Sequence, residues 1–280
     1  MAAVLLATTC AVVYGMADFF GGLATRRSRV LAVVLLTQVT GLLFVIPLLP
    51  ILPGAPSPGA LAWGMGAGLC GGLAVIFFYR ALAGGVMSVV APTTATMSVA
   101  LPVLVGLILG ERPEPLALAG VALALGAVIL VGRDSAPAGG RTTLAPVVQA
   151  LASGLGFGAF FILLKQAPEG AGLWPLFGAR FASILLVAAL AVVSGRTLRP
   201  GPGAIPTIVA AGVMDMGANV LYVLAAQRGL LVVVAVLVSL YPASTLLLAR
   251  WVLKERLNAV QASGIGLALG AIALIAVTTT

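Results

Sequence analysis

Ten apolar stretches run the length of this chain, separated by short polar or turn-forming breaks. Their approximate bounds are 3–24, 30–50, 60–82, 86–109, 115–132, 144–164, 173–194, 204–226, 230–252 and 258–277. A helix needs about 20 apolar residues to cross a hydrocarbon core. Within each stretch the apolar positions are continuous, where a membrane β-strand would alternate them. Backbone in lipid must close its own hydrogen bonds, so the pattern predicts helices.

The breaks have physical causes. Arg26-Arg27-Ser28-Arg29 is too charged to bury, and the segment from Pro50 to Gly59 holds four prolines that cannot continue a helix. Gly84-Gly85 and Arg228-Gly229 predict tight turns, and Arg133 to Thr143 is the longest polar stretch.

The pattern is also duplicated. Leu123-Ala124-Leu125-Gly126-Ala127 recurs 144 residues later as Leu267-Ala268-Leu269-Gly270-Ala271. At the same offset Glu111-Arg112 matches Glu255-Arg256, Gly85 matches Gly229 and Gly120 matches Gly264. Each copy holds five segments, an odd number, so the second copy enters the bilayer from the opposite side. The expected fold is an all-α membrane protein of ten transmembrane helices in two inverted five-helix repeats. The first repeat is 1–132, the linker 133–143 and the second repeat 144–280.

Composition excludes a water-soluble globule. Mean hydropathy is +1.21 and only 8% of residues are charged, against about 25% in a soluble domain. The formal charge of +8 raises the question of nucleic acid. The basic residues lie singly or in short runs between apolar segments, which makes them topology signals and argues against a nucleic-acid partner. Eleven of them fall in the loops after segments 1, 3, 5, 7 and 9, and only Arg112, Lys165 and Arg228 in the opposite loops. Positive charge stays on the cytoplasmic side, so both termini are expected outside. The first 24 residues lack a basic leader and include Asp18, as in a retained first helix.

The chain has no histidine, which removes histidine proton relays and metal ligands. Cys10 and Cys70 lie inside apolar segments and suit small buried residues better than a disulfide or a metal site. There is no Walker loop or Rossmann fingerprint. Gly64-Met65-Gly66 and Gly154-Leu155-Gly156 lie within membrane segments and predict close helix packing. No cofactor and no enzymatic activity are expected.

Ionisable groups inside membrane segments are costly and point to partners or cavities. Asp215 lies near the middle of its segment, with Asn219 one turn on and Tyr222 continuing a polar side. It suits binding of a cationic group, carriage of a proton, or pairing with a buried base. Arg180 is the basic residue hardest to move into a loop. It suits an anionic solute, neutralisation of Asp215, or extension to the interface. Asp18 lies deep in segment 1, either in a cavity or solvated towards Arg26. Gln38 and Thr37, with Gln149 and Ser153, are weaker candidates, since amides and hydroxyls also join helices. Phe157, Phe160, Phe161, Trp174, Phe177 and Phe181 cluster on segments 6 and 7. They suit packing, or a cage for a cation. Glu111 and Glu255 precede helices and suit structural caps on those helices.

The phrase from Leu221 to Gly229, then Leu240-Tyr241-Pro242, Leu253-Lys254-Glu255-Arg256-Leu257, Gln261 and Gly264, resembles the second half of EamA-type carriers of the drug/metabolite transporter superfamily. Phe78-Tyr79-Arg80-Ala81-Leu82, Gly85, Gly110-Glu111-Arg112 and Gly120 resemble the first half. Tyr14 to Phe19 is similar to the family's first helix, with Tyr14 where tryptophan is frequent. One departure is Pro242, whose place at the repeat offset is taken by Ser98 while the first half has Pro92 and Pro102, which predicts bends at different depths in segments 4 and 9. The resemblance implies a secondary transporter in the plasma (inner) membrane, exporting an amino acid, metabolite or drug-like compound on an ion or solute gradient. The alternative is a membrane subunit that assembles or senses without transport. The expected partners are the lipid bilayer and a small-molecule solute. The candidate substrate-binding or coupling residues are Asp215, Asn219, Arg180, Asp18, Tyr222 and Gln38.

Overall fold

A computed structural model describes residues 1–25, 27–84, 87–132, 144–195, 197–252 and 259–277. The linker 133–143, Gly85 and the Glu255-Arg256 turn lie outside the described residues, as do Arg26, Arg196 and Lys254.

Every regular element among the described residues is helical. In chain order they are α1 (Ala2–Thr25), α2 (Val30–Val45), α3 (Pro58–Gly84), α4 (Met87–Ile108), α5 (Pro115–Gly132), α6 (Leu144–Lys165), α7 (Trp174–Val193), α8 (Ile205–Ala226), α9 (Leu231–Val238), α10 (Tyr241–Val252) and α11 (Ala259–Val277). Six are long and apolar enough to cross a membrane: α1, α2 with its extension to Leu48, α3, α6, α7 and α8. Four shorter apolar stretches accompany them at 93–108, 115–130, 231–245 and 259–275.

Two sequence expectations change here. Segment 30–50 is helical only to Val45 and then tightens into a 3-10 turn over Ile46–Leu48, with Pro47 inside it. Segment 230–252 is not one helix. It breaks at Ser239-Leu240 into α9 and α10. Pro242 has no amide to donate to Val238. The first copy has Ser98 at that place, and α4 runs through without interruption.

Helix packing follows the duplication. The repeat offset carries α1, α2 and α3 onto α6, α7 and α8, and α4 onto α9 with α10. Under that exchange the packing of α1 on α8 becomes that of α6 on α3, and α2 on α8 becomes α7 on α3. The packing of α4 on α6 becomes that of α9 and α10 on α1, while α5 on α11 maps onto itself. The exchange also swaps the ends of the molecule. At one end the α2–α3 loop meets the α6–α7 loop, with Ala55 N–H donating to Gly170 O at 3.0 Å. At the other the α1–α2 loop meets the α7–α8 loop, where Gly201 N–H donates to Ser28 Oγ at 2.7 Å. Each loop pair is the image of the other under the repeat offset. The first of these ends, which also holds the start of α1, is called the near end below.

Small residues let the helices approach. A methyl group at Gly64 or Gly68 of α3 would overlap the backbone of Pro175 or Ala179 on α7. Gly154 and Gly158 of α6 meet α4 in the same way. Gly64→Val should therefore force α3 from α7, at a cost of about 1–3 kcal/mol or more. The expected result is loss of the monodisperse peak in size-exclusion chromatography of the purified protein. An unchanged profile and melting temperature would contradict this packing.

Candidate functional site

α7 and α8 each bring one charge to the middle of the molecule. Arg180 sits one and a half turns into α7, and Asp215 halfway along α8. The Arg180 guanidinium pairs with Asp215 Oδ2 and also donates to Gln38 Oε1 on α2. This is the one ion pair among the described residues. Gly41, one turn after Gln38, leaves room for it: a methyl group there would stand 3.3 Å from Arg180 Nε. Arg180 therefore does not extend to the interface. Its side chain is 9% exposed, whereas that of Asp215 is 35% exposed. Asp215 thus keeps accessible surface at mid-span.

Asn219 backs the pair. Its amide donates to Asp215 O at 2.8 Å and reaches Asp215 Oδ2 at 3.4 Å. It is buried, and its Oδ1 has no partner among the described residues. Tyr222, a further turn along, is fully buried and donates to Phe161 O on α6 at 2.7 Å. In this conformation both residues are buried behind the charges.

Asp18 comes to the same cluster from α1. Val4, Ala7, Ala11 and Gly15 form the buried stripe of that helix, and Asp18 continues it at the same spacing of three and four. Gly15 lies against Tyr241, Ser244 and Thr245 of α10. Asp18 is the exposed member of the stripe, yet it lies within electrostatic reach of Asp215 on α8 and Tyr241 on α10. Those neighbours place it beside the Arg180–Asp215 pair, where it keeps accessible surface. Among the described residues Asp18 has no hydrogen-bond or ion-pair partner. The cluster thus sets two carboxyl groups against one guanidinium. Arg180 pairs with Asp215, and Asp18 has no charged partner of opposite sign among the described residues.

Two aromatic residues join the site that the chemistry of the sequence had not singled out. The ring of Tyr14 lies one turn before Asp18 on the same helix face. Its centroid is 6.3 Å from that of Tyr241 and 6.3 Å from that of Phe161. The i, i+4 spacing of Tyr14 to Asp18 was the available signal. The other aromatics go elsewhere: Phe181 is exposed on the outer face, and Trp174 packs on Phe177 at the start of α7. Thr37 bonds its own helix at Val34 O, and Ser153 donates to Ala74 O, joining α6 to α3. Cys10 is buried against Ala218 O, and both cysteines are free. A surface hollow bounded by Arg29, Val30, Leu31 and Thr197 lies at the far end, away from this cluster.

Glu111 requires a correction. It does not cap α5, the helix that follows it. Its two carboxylate oxygens accept Leu231 N–H at 2.7 Å and Val232 N–H at 2.9 Å, at the start of α9 in the other half.

The model of the EamA-like transporter family matches residues 1–133 and again 144–277. The chain belongs to the EamA-like transporter family. Its two matched stretches cover the two sequence copies, so each half of the bundle is one family unit. A crystal structure of another protein shares the fold, with a TM-score of 0.79 at 19% identity over 98% of this chain and 96% of that one. No curated protein matches the sequence. As a family member the protein is a multi-pass membrane protein of transporter type, and it meets the lipid bilayer along its outer helix faces.

Proposed function

We infer that the protein is a secondary carrier that exports a small organic solute across the plasma (inner) membrane on an ion or solute gradient. In this reading the halves 1–132 and 144–280, joined by 133–143, make ten crossings around the Asp215–Arg180 cluster. The single observation that carries it is the accessible mid-span ion pair, with an unpartnered carboxylate beside it. Burying charge in a membrane interior costs several kcal/mol even on the modest scales. A non-transporting subunit gains nothing from that cost, whereas a carrier needs a polar site at mid-depth. Asp18 takes the positive group of the solute or the coupling proton. Arg180, Asp215 and Gln38 form the opposite wall, and Asn219 and Tyr222 hold α8 in register behind it.

The test is the solute content of cells that overproduce the wild-type protein, compared with cells overproducing Asp18→Asn at equal protein level. Depletion of the same solute in the first and not in the second supports the reading. Identical solute profiles would oppose it.

The orientation has its own test. The eleven-to-three basic asymmetry predicts that both termini face outward. A reporter active only in the cytoplasm should be silent when fused after Thr280. Activity of that fusion would reverse the side assigned to every loop.

A further inference from the structure

Of the accessible polar groups of the cluster, Asp215 lies at mid-height and Asp18 towards the far end. Asp18 and Asp215 have accessible surface, while at the near end Tyr222 and the whole of α9 from Leu231 to Val238 are buried. α9 is therefore the plug of the near end, and Glu111 holds its first turn.

The local sequence explains how. Gly110 adopts φ +90°, which ends α4 in a left-handed turn. Gly110 N–H donates to Leu107 O at 3.1 Å, and Glu111 N–H donates to Gly106 O at 2.9 Å. These are the two bonds of a Schellman motif. They place Glu111 just past the helix end, facing the other half. Leu230 offers α9 no side-chain cap of its own, so the Glu111 carboxylate is the group that satisfies its first two amides. Lys165 steadies the adjoining turn from within the second half. It donates to Ala226 O and, at 3.0 Å, to Gly229 O. The bond from Glu111 thus joins the halves, whereas the bonds from Lys165 stay within one half. The second copy does not repeat the arrangement in sequence, since Lys254 stands at the place of Gly110.

We propose that Glu111 is the latch of the near-end gate, and that α9 leaves its carboxylate whenever the cavity opens at that end. The purpose of such a latch rests on the carrier reading; the latch itself does not. An inverted pair of halves that rock about a shared site must break contacts at one end to open it. Here the contact to break is two charge-assisted hydrogen bonds to one helix start. α9 rests mainly on α4 and α1 and only lightly on α5, whereas α5 and α11 pack chiefly on each other.

The experiment uses the full chain in liposomes, with Cys10→Ser and Cys70→Ser and a single thiol from Val234→Cys on the buried α9. Labelling by a water-soluble maleimide reports how often α9 leaves its seat. Adding Glu111→Gln removes one charge-assisted acceptor and should raise the labelling rate about tenfold. Amide exchange over 231–238 should rise with it, while 115–132 and 259–277 stay as in the parent. Should Glu111→Gln fail to fold, Gly106→Ala serves, because its methyl would stand 2.9 Å from Glu111 Oε2 and 2.7 Å from Val232. An unchanged labelling rate would overturn the latch. So would exchange that rises equally in all helices, which would make Glu111 an ordinary structural cap. If the latch behaves as expected while the pure protein moves no solute, it is the carrier reading that fails.

Discussion

Arg180→Gln should be the most damaging single change at the centre of the molecule. It removes the one cation that pairs with Asp215 among the described residues and leaves a carboxylate without its partner at mid-depth. Breaking a buried pair from one side costs about 3–5 kcal/mol. The exposed edge of Asp215 softens that cost, so the lower part of the range is expected. Melting temperature and yield should both fall, and transport with them. The double change Arg180→Gln, Asp215→Asn removes both charges and keeps the shapes. It should restore the melting temperature without restoring transport. The two residues couple, so their effects on stability are not additive. Recovery of transport in the double variant would show the pair to be scaffolding and would take both residues out of the site.

Asp18→Asn should have the opposite profile, with function lost and stability kept. Asp18 has no hydrogen-bond or ion-pair partner to strand among the described residues, so its replacement should cost the fold little. The melting temperature should hold or rise. Solute flux should fall at least to about a tenth, the effect of losing one charge-assisted contact of about 1.4 kcal/mol or more. The manner of the loss identifies the ligand of Asp18. If it carries the coupling proton, gradient-driven flux disappears while solute exchange persists in part. If it holds the solute's positive group, both fall together. Normal flux in Asp18→Asn at normal protein level would remove it from the site.

How much of this was legible in the sequence depends on the distance over which each feature is encoded. The helices and the duplication are local patterns repeated at 144 residues, and both could be read directly. The break in segment 230–252 was half legible. Pro242 signalled a difference from the first copy, but only packing puts the break at Ser239-Leu240. Arg180 was left with three options in the sequence, and depth alone could not choose among them. Gly41 and Gln38 on α2 decide between them, because they make room and supply the second acceptor for the guanidinium. Asp18 and Asp215 looked alike as lone acids, and only the fold separates the occupied one from the free one. Glu111 was read as a cap for the wrong helix. Its partners are 120 and 121 residues away, and local capping rules reach only a turn or two.

The most direct test of the account is flux in liposomes that contain the purified protein and nothing else. The solutes to load are those that overproduction depletes from cells. With an imposed ion gradient, the wild-type protein should move at least one of them faster than empty liposomes do, and Asp18→Asn should not. Flux equal to that of empty liposomes for every such solute, from protein shown to be folded and inserted, would contradict the carrier reading.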